Sequence, residues 1–337
     1  MTTVNSDKQF LFILSRKAGD GRSANFRDLI EETFREYGML DQVEVKTTAH
    51  ATHTTNFARE FAVKYGDQGI VFAVGGDGSV NEVASAICGT GCAMGVIPAG
   101  TGNDFARTLY GRETPAIEDL IHGLLRAVNK KMDMIRIRME GCHPPNERGL
   151  ANRDMYLEDF DAYCLNVLSF GLDTVVLDSA MNLLERHPRL KGMSYFLGVV
   201  ANLIGQKKFP VRYSLNLADG TVLEGENADC VLGAICNGGY YGNGFNPAPM
   251  ARPDDGLLHL TVADWMGGMN FLKLILKYHK GEHVGHKDIH ITDITGGTFA
   301  SATDAKLMGN YDGIIFEADR FSFEVLPQAL PFVIPQL

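Results

Sequence analysis

Two glycine-rich turns contain the residues of this 337-residue chain whose types and spacing could do chemistry. The first turn, at residues 75–78, places the carboxyl group of Asp77 among three glycines, and the second occupies residues 98–104. Glycine allows a positive φ and lets a large ligand approach the backbone, because it carries no Cβ. A helical pattern follows the first turn, and the free amides and positive dipole end of a helix N-terminus favour phosphate. The two turns therefore predict a binding site for a phosphorylated ligand.

Two apolar runs must position these turns. Residues 70–74 and 93–97 are continuously apolar, which is typical of strands buried on both faces of a parallel sheet. We expect both strands to end at the same edge of one sheet, where open parallel sheets bind their ligands. Neither turn has the Lys-Ser or Lys-Thr of a Walker loop, and neither has the G-x-G-x-x-G pattern. Either turn alone is also compatible with an ordinary strand-to-helix connection, so the prediction depends on the pair.

The order of the other patterns predicts an α/β fold class. Strand and helix patterns alternate through the first third of the chain, which favours a doubly wound, mostly parallel sheet covered by helices. From Asp133 onward short, alternating strands dominate, which indicates a mainly antiparallel second domain. The same patterns predict a helix at residues 116–128, a single strand at residues 162–168, and separate final strands at residues 321–326 and 332–334.

Composition narrows the classes of function. A formal charge of -10 argues against general nucleic-acid binding. The six cysteines show no C-x-x-C spacing, so we expect reduced thiols in a cytoplasmic protein. The chain starts with no basic segment before an apolar one, which predicts no signal peptide. The longest uncharged apolar segment, residues 192–206, is 15 residues long and too short to span a membrane.

The combination of GGDGSVNEV with a later PAGTGNDFAR resembles the catalytic domain of the diacylglycerol kinases and related lipid kinases, which include sphingosine kinases and bacterial lipid kinases. NAD kinases share the GGDG turn but lack the PAGTGND block. The resemblance implies that ATP and Mg²⁺ are bound and that a phosphoryl group passes to a lipid that has a free hydroxyl. The chain departs from the family's pattern at one place, where it has Ser15 and Arg16 and the family has Asn-Pro.

The same resemblance implies an architecture and a set of contacts. Residues 1–133, with 327–337 returning, would form the nucleotide-binding domain; residues 134–326 would form a β-sandwich that binds the lipid, with the active site in the cleft between them. The turn amides would hold the phosphates of ATP, and either Thr47 or Thr48 would contact the nucleotide. The implied nucleotide contacts are Thr47, Gly75, Gly76, Asp77, Gly78, Ser79, Asn81, Glu82, Gly100, Thr101, Gly102, Asn103 and Asp104.

Carboxylates would bind the metal in two places. Asp77 would reach Mg²⁺ directly or through water, and Asp133 matches a family aspartate in the same polar network. In bacterial relatives an Asp-Asp-Gly turn holds a structural magnesium through one carboxylate and two backbone carbonyls. Carried over, these ligands are Asp255 and the carbonyl oxygens of Arg252 and Leu257, since hard oxygen donors suit this ion.

The expected catalytic base is missing from the sequence. The family has Asp-Gly-Glu near its C-terminus, whereas this chain has Asp312, Gly313 and Ile314, and isoleucine cannot accept a proton. A positioned base contributes about 10²- to 10⁴-fold, so its loss is compatible with a slow kinase. Asp312 is the nearest substitute. The competing hypotheses are an inactive nucleotide- or lipid-binding paralogue and, less favoured because of the PAGTGND block, an NAD kinase.

Two further partners are compatible with the sequence. Basic residues between Arg186 and Arg212 surround an apolar segment with no acidic residue among them, and this island could contact anionic lipid headgroups at the inner membrane surface. A helix that is apolar on nearly all sides is otherwise a buried core helix. The second partner is another copy of the chain in a homodimer, for which the sequence has no specific signal.

Overall fold

The computed structural model of the chain describes residues 7–16, 23–50, 52–143, 145–146, 149–151, 156–186 and 207–336. The chain divides into two compact units, Met1–Met134 with Pro327–Leu337 and Ile135–Leu326. The boundary predicted from the sequence is at residue 133, with the return at residue 327. Parallel strands and helices form the first unit and antiparallel strands dominate the second, which confirms the predicted fold class.

A parallel sheet forms the centre of the first unit. Its strands are β1 (Gln9–Leu14), β2 (Val43–Thr47), β3 (Gly69–Gly75) and β4 (Ala93–Pro98), in the order β4-β3-β1-β2. The residues of β1 and β3 are almost all buried, which explains why these strands are apolar without alternation. Phe12 of β1 and Phe72 of β3 stack with their ring centroids 4.8 Å apart. Packing of these buried side chains therefore stabilises the sheet without any contribution from a ligand.

The helices of this unit follow its strands. They are α1 (Ser23–Glu36), α2 (His53–Tyr65), α3 (Asp77–Ile87), α4 (Asp104–Tyr110) and α5 (Ile117–Gly123), with short 3₁₀ turns at Leu40–Gln42, Gly66–Gln68 and Leu124–Arg126. The prediction of one helix at residues 116–128 is wrong at its end. A Cβ on Gly123 would lie 2.5 Å from the carbonyl oxygen of Gln336, so the returning C-terminal segment packs directly against the end of α5.

Two 15-residue strands, β5 (Val128–Cys142) and β15 (Arg320–Ile334), belong partly to each unit. Phe332 of β15 pairs in parallel with Met94 of β4 in the first unit. The remaining strands are β6 (Glu158–Cys164), β7 (Val167–Gly171), β8 (Val211–Leu217), β9 (Val222–Asn227), β10 (Cys230–Cys236), β11 (Leu258–Asp264), β12 (Ile289–Ser301), β13 (Leu307–Tyr311) and β14 (Ile314–Ala318).

The second unit is built on the antiparallel order β14-β13-β7-β10-β11-β12-β15, with β8 and β9 beside β12 and β6 beside β5. Its core is aromatic: the ring of Phe299 lies 4.5 Å from that of Phe170 and 5.7 Å from that of Phe321, measured between centroids. Helices α6 (Leu172–Arg186) and α7 (Gly268–Lys280) complete the described part of this unit.

Two strand predictions for this part of the chain are wrong. The single strand predicted at residues 162–168 is divided between β6 and β7, and the two final strands predicted on either side of Pro327 are one strand, β15. The apolar segment predicted between Arg186 and Arg212 lies outside the described residues, as do Arg189 and Lys191 of the basic island. Among the helices of the described residues, none is long and apolar enough to cross a membrane.

Candidate functional site

The two predicted turns lie against each other in the first unit. Strands β3 and β4 are parallel neighbours with Gly75 opposite Pro98, so both end at one edge of the sheet. The amide of Ala99 donates to the carbonyl oxygen of Gly75 at 2.9 Å. A Cβ on Gly100 would lie 2.3 Å from the Cα of Gly76, which is closer than such atoms can approach. Glycine at position 100 therefore lets the backbones of the two turns pass each other.

The left-handed residue of the site is an asparagine. No glycine within residues 75–78 or 98–104 has a positive φ, contrary to the expectation for these turns, whereas Asn103 has a φ of 56°. The Asn103 side chain closes the second turn, because its Oδ1 accepts from the amide of Gly100 and its Nδ2 donates to the Gly100 carbonyl, both at 2.9 Å. The Gly100 amide, which was predicted to bind phosphate, is thus used within the turn. For the amides of Thr101 and Gly102, phosphate binding stays a prediction.

The N-terminus of α3 follows the first turn directly. Gly76 is the N-cap residue in an extended conformation, and Val80 donates the first helical hydrogen bond, to the Gly76 carbonyl at 3.1 Å. The hydrogen bonds of the helix therefore do not use the amides of Gly78 and Ser79. Amides at this position, together with the helix dipole, favour an anionic ligand. The local structure is thus suited to phosphate.

Asp77 lies where the two turns meet. Its Oδ1 accepts from the amide of Phe105 at 3.1 Å, and a Cβ on Gly102 would come within 2.7 Å of its Oδ2. Burial, and then the neighbouring carboxylate of Asp104, raise the pKa of Asp77 above its ordinary value. Two neighbouring carboxylates repel each other when both are charged, and a divalent cation would relieve that repulsion. The pair therefore has the donor chemistry that the predicted magnesium contact requires.

Arg107 also belongs to this arrangement, although no role was predicted for it from the sequence. Its Nη1 donates to Oδ1 of Asp104 at 2.8 Å and also to the carbonyl oxygen of Gly102. These contacts tie α4 to the second turn and orient the Asp104 carboxylate. The available signal was the spacing of an acid and a base three residues apart at the start of a helix.

The remaining predicted nucleotide contacts surround the turns. Thr47 ends β2 and is exposed, whereas the hydroxyl oxygen of Thr48 accepts from the amide of Arg16 at 3.3 Å. Asn81 is buried, while Glu82 is half-buried, and burial raises the pKa of Glu82. Thr47 therefore lies at the end of β2, and Asn81 and Glu82 lie in α3. Their contacts with the nucleotide stay predictions.

Asp133 anchors the returning C-terminal segment within the first unit. It is fully buried, and its Oδ1 accepts from the amide of Gln328 at 2.7 Å. Gln328 has a φ of 53°, so this hydrogen bond helps to hold a left-handed residue just after Pro327. The predicted place of Asp133 in the polar network of the nucleotide stays a prediction.

Asp312 holds a turn in the second unit. Asp312 and Gly313 connect β13 to β14 with φ angles of 46° and 88°. The Asp312 carboxylate accepts from the amides of Leu165, Asn166 and Val167 at 2.7, 3.1 and 3.0 Å. Burial raises its pKa to about 6. Both carboxylate oxygens thus accept hydrogen bonds from the segment that connects β6 to β7. For this reason the structure argues against the prediction that Asp312 replaces the missing base.

Ile314 opens β14 opposite Tyr311 and is half-buried beside the aromatic core of the second unit. The next residue, Ile315, donates its amide to the carbonyl of Gly149 at 2.7 Å. Glu317 lies three positions further along β14, where strand alternation directs its side chain to the opposite face. A hydrocarbon side chain therefore occupies the position that the resemblance predicts to match the family's glutamate.

The predicted structural metal site lies in the loop before β11. Oδ1 of Asp255 accepts from the amide of Leu257 at 3.1 Å, and Arg252 pairs with Asp254 at 3.4 Å. In the part of the chain that the structure describes, no three His, Cys, Asp or Glu residues are grouped as a metal site. One exposed carboxylate and two backbone carbonyls are nevertheless the hard oxygen donors that Mg²⁺ prefers, so the residues fit the ion by type.

Comparison with known proteins gives two matching family models. Residues 9–137 match the diacylglycerol kinase catalytic domain, and residues 166–334 match the YegS C-terminal NAD kinase beta sandwich-like domain. A diacylglycerol kinase from Mycobacterium tuberculosis (strain ATCC 25618 / H37Rv) is 29% identical over 222 residues, which is 66% of this chain and 63% of that protein. The chain thus spans less than two thirds of this relative.

A second relative and two solved structures agree with these matches. A protein from Xanthomonas oryzae pv. oryzae (strain MAFF 311018), named "Probable lipid kinase YegS-like", is 30% identical over 257 residues, covering 74% of this chain and 73% of the relative. Two crystal structures from Bacillus anthracis str. Sterne, the second described as a diacylglycerol kinase, give TM-scores of 0.70 and 0.66 at 22% and 21% identity and cover 97% of both chains. These structures show the same fold. With both of its domains matched in order, the chain belongs to the family of lipid kinases that carry the diacylglycerol kinase catalytic domain.

Proposed function

We propose that this protein is an ATP-dependent lipid kinase that transfers the γ-phosphoryl group to a hydroxyl of a diacylglycerol-like or other long-chain lipid. The observation that carries the proposal is the pair of touching turns at residues 75–78 and 98–104, with Asp77 where they meet and the N-terminus of α3 behind them. Membership of a lipid kinase family favours a lipid hydroxyl over a nicotinamide nucleotide as the phosphoryl acceptor.

The chain's own residues would act mainly by position and charge. The amides of Gly78, Ser79, Thr101 and Gly102 would donate to the phosphate oxygens, since they add no bulk at the site. Asp77 and Asp104 would hold Mg²⁺, and Arg107 would keep Asp104 oriented. The bound metal supplies neutralisation of phosphate charge. A second Mg²⁺ held by Asp255 with the Arg252 and Leu257 carbonyls would have a structural role.

The isoleucine at position 314 predicts slow turnover. Positioning and electrostatic stabilisation supply most of the acceleration in phosphoryl transfer. A positioned base adds about 10²- to 10⁴-fold, and here no carboxylate occupies that position. Ile314→Glu would restore one, so we expect the variant to turn over lipid faster by about that factor.

A lipid phosphorylation assay tests both statements. Purified protein is incubated with radiolabelled ATP, Mg²⁺ and a total lipid extract, and label is counted in the organic phase. We expect weak labelling by the natural chain, strong labelling by Ile314→Glu and none by Asp77→Asn. Absence of label with both the natural chain and Ile314→Glu would contradict the kinase function. Equal, weak labelling by both would leave the kinase in place and disprove the role given to position 314.

A further inference from the structure

Helix α7 presents two different faces. Phe271, Leu274 and Tyr278 are buried in an apolar cluster of the second unit, so they attach the helix to that unit. Lys273, Leu276, Lys277 and Lys280 are exposed. Their spacing of three, four and seven residues places these four side chains along one face of the helix. That face therefore combines three positive charges with an aliphatic side chain.

The charge of this face is unusual for the chain. The sequence of α7 contains no aspartate or glutamate, although the whole chain has a formal charge of -10. Within the described residues, none of the three lysines forms an ion pair. Lys277 and Lys280 are in the last turn, where the helix dipole favours cations. The dipole does not account for Lys273 or for the exposure of Leu276.

Apolar groups are exposed on α7 itself and next to both of its ends. Trp265, three residues before the helix, is 47% exposed, and the ammonium group of Lys208 lies 5.2 Å from its ring centroid. Leu276 is 59% exposed, and Val284, just beyond the C-terminal glycine of the helix, is 52% exposed. Tryptophan is favoured at membrane–water interfaces, because one side of its ring system is apolar and its N–H is polar.

We propose that the exposed face of α7, together with Trp265 and Val284, docks on an anionic phospholipid surface. Lysines that alternate with exposed aliphatic and indole side chains match such a surface, because phosphate headgroups attract the lysines while the apolar groups enter the interface. The choice of a membrane over an acidic protein or a nucleic acid rests on the proposed lipid kinase function, since a long-chain substrate resides in a bilayer. Helix α7 is separate in sequence from the basic island predicted at residues 186–212, but Lys208 of that island lies over Trp265, so the two meet at this residue.

Vesicle sedimentation tests the proposal without requiring turnover. The full chain is mixed with sucrose-loaded vesicles of phosphatidylcholine alone or of equal parts phosphatidylcholine and phosphatidylglycerol. We expect binding only to the anionic vesicles, and weaker binding at high salt. Lys273→Gln/Lys277→Gln/Lys280→Gln should weaken this binding by about 100-fold, at roughly fivefold for each lysine near an anionic surface. Leu276→Glu should weaken it as well.

The matched control is Arg35→Gln/Arg59→Gln/Lys131→Gln, which removes the same charge from exposed positions of the first unit and should bind like the natural chain. Equal sedimentation with both vesicle types, no sedimentation of the natural chain, or equal loss in both triple variants would overturn the proposal. Activity on a water-soluble short-chain diacylglycerol separates the two proposals. The α7 variant should keep the activity of the natural chain there, whereas a failed kinase function would show no activity in either protein.

Discussion

Glycine at position 100 is required by a contact between two backbones. Ligand approach and a positive φ are the expected reasons for the glycines of both turns, but the residue that has the positive φ is Asn103. Gly76 and Gly100 approach so closely because β3 and β4 end together. The motif was therefore sufficient to predict that glycine and aspartate residues form the site. The contact itself was not, since it depends on the register between two strands.

Gly100→Ala should separate the two turns and weaken nucleotide binding. The added Cβ would lie 2.3 Å from the Cα of Gly76, and backbone cannot move aside as a flexible side chain can. We expect the affinity for a non-hydrolysable ATP analogue with Mg²⁺ to fall at least about tenfold, or about 1.4 kcal/mol, by isothermal titration calorimetry. Gly267→Ala is the control, because a Cβ there meets nothing within 4 Å. Unchanged affinity in Gly100→Ala would show that the turns do not bind nucleotide.

Asp173 should make stability depend on pH in a defined direction. Burial raises its pKa to about 7, and its Oδ1 accepts from the amide of Thr174 at 2.8 Å. Between the ordinary carboxyl pKa and about 7 the folded chain keeps a proton that the unfolded chain has lost, so this group's contribution to stability falls as pH rises through that window. Asp173→Asn removes the effect. Its thermal midpoint should exceed that of the natural chain at pH 8, and the difference should shrink toward pH 5; a constant difference would contradict the raised pKa.

The boundary between β6 and β7 illustrates what local pattern cannot predict at the scale of elements. Residues 162–168 read as one strand, yet the chain turns at Leu165 and Asn166 because the carboxylate of Asp312 accepts their amides. The residue that determines this break is remote in the sequence. In contrast, the runs predicted at residues 70–74 and 93–97 match β3 and β4 closely, because their apolar character comes from burial within the first unit.

Asp312→Ala should destabilise the second unit strongly. It would leave the amides of Leu165, Asn166 and Val167 without their acceptor, and an unsatisfied buried donor costs about 1–3 kcal/mol. We expect a loss of about 3–5 kcal/mol in the free energy of unfolding, measured by urea denaturation. Asp312→Asn retains one acceptor oxygen and should lose less. Asp304→Ala, at an exposed position, should stay near the natural value. If Asp312→Ala lost as little free energy of unfolding as Asp304→Ala, the Asp312 carboxylate would not anchor the three amides.

At the scale of the whole molecule, the order of patterns was more informative than any single element. Alternation of strands and helices predicted the parallel sheet of the first unit, and the change of pattern near Asp133 predicted the antiparallel second unit. The continuous strand β15 was not predictable, because proline usually interrupts a strand. Gln328, which follows Pro327, takes a positive φ and bonds to Asp133, so the strand continues through an irregular residue. The hydrogen bond that stabilises this irregular residue is accepted by Asp133, which is far away in the sequence.

Nucleotide binding should stabilise the whole protein in a metal-dependent way. A ligand that binds only the folded chain adds about 2.7 kcal/mol at about 100 times its Kd, which for a chain of this size should raise the thermal midpoint by about 4 °C. We expect that rise with ATP and Mg²⁺ in differential scanning calorimetry, and a smaller one when EDTA replaces the metal. In Asp77→Asn the difference between the two conditions should disappear, because the neutral amide binds the cation poorly. NAD should produce no rise, since the second turn differs from that of the NAD kinases. A larger rise with NAD than with ATP would instead assign the site to a dinucleotide.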